Sequence, residues 1–276
     1  MKLSPAVCAL LLLSLGHAAQ AQSSAAKSAA ASTAPATPQP TSMVVVQAGV
    51  GVTTRYAGSD ERLVSPMLGV EYAHASGFFA GTMRGIGYAG AAGGLNYSAA
   101  IGYRGERKEK STSGFGINSG SKYLRGMGDV KGSGTLNLSL GYSVTDWLDV
   151  QVATEQPFTT RANGALYSFG VAAKVMDVGK DTVVLSVSAN AGDKKYMQTY
   201  HGVTAAQSAK SGYAVFTPKS GMHQVEAGLS WQHKLSDSWS VTGMVGAQRL
   251  LGDAAKSPLT RRVTSPVGAV FVSYSY

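Results

Sequence analysis

Four histidines lie beyond the first twenty residues of the chain, at His74, His201, His223 and His233. A hydrolase would need one of them beside a nucleophile, or a pair of them holding a metal ion. No Gly-x-Ser-x-Gly elbow is present. No His-Glu-x-x-His zinc pair is present either. His223 and His233 flank one predicted strand, both outward and about 30 Å apart by strand rise, so they cannot share a site. They read as interfacial residues. His201 falls in a predicted external loop together with Ser208, the one pairing that a rim hydrolase could use. It reads more simply as a structural loop histidine. Nothing in the pattern points to a catalytic residue, a metal ligand or a cofactor, and the chain reads as a non-enzyme.

The charged residues suggest other chemistry. Glu71, Arg104, Asp149, Lys174 and Glu226 each interrupt the polar face of an alternating segment. In a barrel they face the lumen, where charges of mixed sign either line a channel or cross-link a filled interior. The pairing reading is favoured, because a lone charge in a narrow lumen is costly. Three long connections, 104–131, 191–220 and 250–265, together carry +9, which equals the net charge of the whole chain. Arg107, Lys108, Lys110, Lys194, Lys195, Arg261 and Arg262 are the basic residues there that could meet lipopolysaccharide phosphates. Nucleic acid, the usual partner of a basic chain, is excluded if the protein is exported.

These side chains are positioned by segments whose period is 2 rather than 3.6. Leu136, Leu138, Leu140 and Tyr142 alternate with Thr135, Asn137, Ser139 and Gly141. The same pattern recurs at 95–104, 148–152, 167–175, 182–190, 224–232 and 239–248. It is less clean at 43–54 and 62–74. It is poorest at 77–88, where Arg84 would share a face with Ile86 and Tyr88. The segments are about 9 to 12 residues long, enough for a tilted strand to cross a bilayer. Tyr72, Tyr103, Tyr142, Trp231 and Trp239 lie near their ends, as an interfacial girdle would. Charged residues make up only 14% of the chain, and no apolar run is long enough for a membrane helix. The last strand alternates through Val270, Val272, Tyr274 and Tyr276, and Val272, Tyr274 and Tyr276 form a C-terminal assembly signal of the outer-membrane type.

Eleven segments can be counted, whereas bacterial barrels have an even number of strands. The expectation is therefore an all-β transmembrane antiparallel β-barrel of about 12 strands over residues 43–276, with 10 as the fallback. The missing strand is expected near 77–103 or in the loop that follows. Short connections at 143–147, 176–180 and 234–238 are expected on the periplasmic side. Long ones at 104–131, 157–163, 191–220 and 250–265 are expected outside.

Ahead of the barrel, Lys2, an apolar core and the small-x-small triplet Ala19-Gln20-Ala21 read as a signal peptide over residues 1–21. Cys8, the one cysteine, falls inside it, so the exported chain would hold no disulfide. Residues 22–42 are rich in Ala, Ser and Pro and read as a disordered periplasmic tail. The expected location is the outer membrane of a Gram-negative-type cell.

Several longer motifs resemble the MipA/OmpV family of outer-membrane proteins. They are Tyr56-Ala57-Gly58-Ser59-Asp60, Gly102-Tyr103-Arg104-Gly105-Glu106-Arg107 and Leu124-Arg125-Gly126-Met127-Gly128-Asp129-Val130. Tyr196-Met197-Gln198-Thr199-Tyr200-His201-Gly202-Val203-Thr204 and Arg249-Leu250-Leu251-Gly252-Asp253-Ala254-Ala255-Lys256-Ser257-Pro258 are the most specific. Where the family often has a Gly-His-x-Gly turn, this chain has Arg161-Ala162-Asn163-Gly164. The resemblance spans about residues 46–276. It implies an outer-membrane barrel that serves as a non-enzymatic scaffold linking a murein transglycosylase to a murein synthase. Other members are described as surface adhesins or porin-like proteins, so a small diffusion pore is the alternative.

Overall fold

The protein is described by a computed structural model covering residues 42–110 and 120–276. The expected signal peptide and all of the tail but Ser42 lie outside those residues. Twelve strands close into one antiparallel barrel. They are β1 (Met43–Thr54), β2 (Arg62–Ala73), β3 (Phe78–Gly81), β4 (Gly85–Ala92), β5 (Leu95–Arg104) and β6 (Ser133–Thr145). Then follow β7 (Leu148–Pro157), β8 (Leu166–Val178), β9 (Asp181–Gly192), β10 (Gly221–Lys234), β11 (Trp239–Leu250) and β12 (Thr264–Ser275). Neighbours in sequence are neighbours in space, and β12 returns to pair with β1 from Val45↔Ser275 to Val52↔Gly268.

The alternation sets which side chains face out. Leu136, Leu138, Leu140 and Tyr142 are exposed on the wall of β6, while Ser133 and Thr135 are buried. Val270 and Val272 are exposed on β12, while Val267, Ala269 and Phe271 are buried. An outer surface of exposed valine, leucine and tyrosine is stable against lipid and not against water. At one end the connections are short, and β1 starts and β12 ends there. Rings gather at this end: Tyr72 with Phe78 (6.3 Å), Phe78 with Tyr88 (5.6 Å), Trp239 with Tyr274 (4.7 Å) and Tyr274 with Tyr276 (4.6 Å). This is the girdle of one membrane interface, on the periplasmic side by the rule that both barrel termini lie there.

The misfit at 77–88 is resolved by two strands in place of one. β3 is only four residues long and turns back at residues 82–84. Arg84 therefore lies in the turn, and the parity of Ile86 and Tyr88 starts afresh in β4. β3 pairs with β2 only at residues 71–73. The ladder there ends at Val70, whose C=O accepts the Thr82 N–H (3.0 Å) and whose N–H donates to Thr82 Oγ1 (3.1 Å). From 62 to 69, β2 pairs with β1 on one side and with no strand on the other among the described residues.

The opposite end carries the long connections. Among the described residues three short α-helices lie in them: α1 (Lys194–His201), α2 (Ala205–Ser211) and α3 (Gly252–Lys256). Close strand approach inside the barrel relies on glycine. A Cβ on Gly49 would stand 2.2 Å from the Val270 oxygen and 2.4 Å from Phe271 Cβ. Gly49→Val is expected to cost at least the roughly 1–3 kcal/mol of an overpacked core, with loss of the heat-shifted compact band on electrophoresis. Gly170→Ala, whose Cβ would meet nothing nearer than 4.0 Å, is expected to stay within about 0.5 kcal/mol of the parent in urea unfolding.

Candidate functional site: a charged clasp under the outer cap

α1 begins at Asp193, whose carboxylate accepts the Tyr196 N–H at 2.7 Å. Its spacing puts Tyr196, Met197, Tyr200 and His201 on one face, and all four are buried. Tyr196, Met197 and Tyr200 pack with Leu250 at the end of β11 and with Ala254 of α3. The 158–165 connection passes close beneath α1 because Gly164 has φ +72 and no side chain. A Cβ there would stand 1.9 Å from the Tyr196 nitrogen. A second cluster joins Tyr56, Leu124, Met127, Val203 and Leu259 from four connections. The Tyr56 hydroxyl donates to the Leu259 C=O at 2.9 Å, and burial pushes that hydroxyl well above the ordinary tyrosine range. α2 is held by a capping box between Thr204 and Gln207, and the Gln207 amide donates to the Met127 C=O at 2.7 Å. The loops thus form a packed cap over the outer mouth.

Two arginines join the cap to the barrel. Arg104, at the end of β5 and 1% exposed, donates to Glu155 of β7 at 2.5 Å. It also donates to the carbonyls of Asn163 (3.1 Å) and Gly164 (2.9 Å). Its guanidinium lies 5.4 Å from the Tyr196 ring and 5.9 Å from the Tyr200 ring. Arg107 donates to the Tyr200 and Thr199 carbonyls, both at 3.1 Å. Those are last-turn carbonyls of α1, where a cation satisfies acceptors that the helix leaves open. Burial lowers the Arg107 pKa and the Tyr200 and Tyr56 rings oppose that, yet an arginine stays charged at neutral pH. Asn163 completes the clasp by donating to the Lys131 C=O at 2.7 Å and to Ser133 Oγ at 2.5 Å.

Of the expected lumen charges, Arg104 is thus drawn into the clasp. Asp149 accepts the Ser143 hydroxyl at 2.6 Å. Lys174 pairs with Asp177 at 3.0 Å. Glu226 accepts from the Gln224 amide and, at 3.5 Å, from Asn190. Glu71 accepts the Met83 N–H at 3.0 Å. They are dispersed around the barrel and form no shared site. Glu155, the partner that sequence reading missed, sits two inward positions beyond Gln151; continuing the β7 alternation would have found it.

Two expectations are corrected. Arg107 is not a surface contact for lipopolysaccharide, because it is buried under the Tyr200 ring and directed at α1. His223 does not face lipid. The β9–β10 register shifts between Met222 and Gln224, and this bulge turns His223 inward until it is fully buried. Its ring lies 5.0 Å from Tyr196 and 5.6 Å from His201. The two histidines therefore meet, but beneath the cap and shut from solvent. His233 stays at the interface, with Nδ1 2.8 Å from Asp181, which also accepts from Trp231. Among the described residues no group of three or more His, Cys, Asp or Glu stands where it could hold a metal ion. Lys108 reaches Glu106 (2.9 Å) and Asp129 (3.2 Å). Its neighbours on the outer surface, Lys110, Lys194, Lys195, Arg261 and Arg262, are exposed or partly so, and Arg261 also lies 4.8 Å over the Tyr123 ring. Val272, Tyr274 and Tyr276 continue the outward row to the chain end, and the Tyr276 N–H donates to Val44.

A family model described as MltA-interacting protein MipA matches residues 46–276. No curated protein sequence matches the chain. Among solved structures it is similar to the NanC porin, at 10% identity, 84% of this chain and 98% of that one, TM-score 0.44. It is similar to the KdgM porin, at 12% identity, 85% and 99% coverage, TM-score 0.39. It is also similar to the translocator domain of the autotransporter NalP from Neisseria meningitidis, at 12% identity, 90% and 92% coverage, TM-score 0.43.

Arg104→Ala would leave Glu155 buried without its cation, and is expected to destabilise the protein by about 3–5 kcal/mol. Arg104→Ala with Glu155→Ala should recover part of that loss. Arg107→Ala is expected to cost less and to act locally, raising amide exchange across residues 194–216 while the strands stay protected. Exchange mass spectrometry on the folded barrel separates the two patterns.

Proposed function

The chain belongs to the MipA family of outer-membrane β-barrel proteins, and from that premise we propose that it is a non-enzymatic scaffold for murein-processing enzymes. The partner implied by the family description is a lytic murein transglycosylase, with a murein synthase as a second client. The observation that carries this reading is the packed cap that the described outer loops build at one end of the barrel. Two apolar clusters and the Arg104–Glu155 clasp fix the cap rigidly, which suits a platform and opposes free diffusion through the barrel. The buried position of His201 and His223 opposes a rim hydrolase, because a substrate bond must reach the catalytic groups. Contact with periplasmic partners falls to the short turns at 74–77, 93–94, 146–147, 179–180 and 235–238, and to the tail. The exposed lysines and arginines of the cap, Lys110, Lys194, Lys195, Arg261 and Arg262, with Lys108 beside them, serve lipopolysaccharide phosphates in this reading. Glu71, Asp149 and Glu226 link neighbouring segments of the interior, and Lys174 pairs with Asp177 within β8.

One observation favours the pore as a second reading: much of the inner face is polar, with Ser186, Ser230, Gln232 and Thr242 among its buried residues. Two measurements decide between them. Purified lytic murein transglycosylase is expected to bind the folded full chain with a dissociation constant of about 1 μM or tighter, and to lose that binding when the 235–238 and 179–180 turns are replaced together by Gly-Ser linkers. Planar bilayers holding inserted protein are expected to stay electrically silent. Steady ion-selective openings with no transglycosylase binding would overturn the scaffold in favour of the pore.

A further inference from the structure

Charge is rare on the outward rows of the wall. Among the described residues the charged outward side chains of the strands are Arg62 of β2 and Arg249 of β11 at the outer end, and Asp181 of β9 at the periplasmic end. Asp181 is met by His233 at 2.8 Å. Both arginines are exposed and continue apolar outward rows, Arg62 above Val64 and Arg249 above Ala247 and Val245.

Their depth follows by counting. Arg62 lies ten residues above Tyr72 and Arg249 ten above Trp239, and both rings belong to the periplasmic girdle. With a rise of about 3.3 Å per residue and a tilt of about 40°, ten residues climb roughly 25 Å. The apolar band of such a barrel is about 25 Å tall, so both cations stand at the head groups of the outer leaflet. Elsewhere the outer end of the wall carries exposed rings: Tyr103 of β5, Phe158 after β7 and Tyr167 of β8. From β11 round to β2 the arginines take their place.

The two are close. β12 and β1 lie between their strands. Arg62 pairs with Thr54. Extending the β1–β12 register by two residues sets Thr54 against Pro266. Pro266 pairs with Ala247, two residues below Arg249. Three strand spacings of about 4.8 Å and that stagger put the two Cα atoms about 15 Å apart. Arg249 leans into the interval, donating to Thr264 Oγ1 at 3.4 Å. Arg262, also exposed, stands at its top, with its N–H donating to the Gly58 C=O of the β1–β2 connection at 2.9 Å. Below Arg249 the pairs Ala247–Pro266 and Val245–Gly268 leave a shallow trough of small side chains beside exposed Val270.

Among the described residues none of the three arginines pairs with a carboxylate, whereas Arg104, Lys108 and Lys174 each do. Of the nearest acids in sequence, Glu61 accepts from the Ser121 hydroxyl, Asp253 accepts the Lys219 N–H, and Asp60 meets no cation. A guanidinium costs little at head-group depth, but its fork of donors is shaped for phosphate or carboxylate. A lipid with one phosphate satisfies one arginine of the pair. Lipid A carries a phosphate at each end of a disaccharide, above a fan of acyl chains. We propose that the outer wall from β11 to β2 is a lipid A site, with one phosphate on Arg249, the other on Arg62, Arg262 over the sugar between them, and acyl chains in the trough below. The site deepens the lipopolysaccharide contact proposed for the cap and does not depend on the scaffold role.

The test uses the full chain folded in detergent micelles, with bound lipid counted by native mass spectrometry. Three probes are titrated: bisphosphoryl lipid A, monophosphoryl lipid A and phosphatidylglycerol. One bisphosphoryl lipid A is expected per barrel, bound about tenfold more tightly than the monophosphoryl form, the ratio given by one charge-assisted hydrogen bond. Phosphatidylglycerol should bind more weakly than either. Arg62→Gln and Arg249→Gln should each bring the bisphosphoryl form down to the monophosphoryl level. Lys210→Gln, the same loss of charge on exposed α2, should leave the preference unchanged. Each variant is shown folded by its heat-shifted mobility. If one arginine variant does not fold, the other and the contrast between the two lipid A forms decide. Equal binding of the three lipids overturns the proposal, as does a bisphosphoryl preference that survives Arg62→Gln with Arg249→Gln. Loss of that preference only in Lys194→Gln with Lys195→Gln would place the phosphates on the cap and overturn the wall site.

Discussion

A backbone N–H or C=O without a partner costs several kcal/mol in hydrocarbon, and this constraint shapes most of the molecule. It requires closure, so β12 must return to pair with β1. It requires side chains to alternate between lipid and lumen, so each strand has a period of 2 and its outer row is Val, Leu and Tyr. It also requires tight strand contact, which is why Gly49 faces Phe271 where any Cβ would collide with the next strand. Strand length and girdle position then follow from bilayer thickness, not from any preference of the residues for strand alone.

Loops are free of that constraint, and here they have used the freedom to build a small water-soluble core on top of the barrel. Its energetics are those of an ordinary globular protein. α1 buries one face, α2 has a reciprocal cap, and the open carbonyls at the α1 terminus receive Arg107. The join to the barrel is electrostatic. Arg104 has lost nearly all of its water, and it is tolerable there because one carboxylate, two carbonyls and two tyrosine rings surround it. Removing either charge strands the other, so the pair binds cap and wall as one unit.

Much of this is legible in the sequence, because the membrane makes the code strict. The strand count, the inward set on β5 and β6, the C-terminal row and the division into short and long connections follow from period and length. The failures have distinct physical causes. β3 and β4 were read as a single strand, since the four residues of β3 are too few to establish a period and the glycines around them carry no polarity. His223 was assigned to lipid because a bulge adds one residue and reverses parity, with no local signature in Met222-His223-Gln224. Arg107 was assigned to the surface because its partners, two carbonyls of α1, lie more than ninety residues away and backbone acceptors leave no trace in side-chain pattern. The clasp was half visible: Arg104 was found, and Glu155 lay two alternations further along β7 than the pattern was followed.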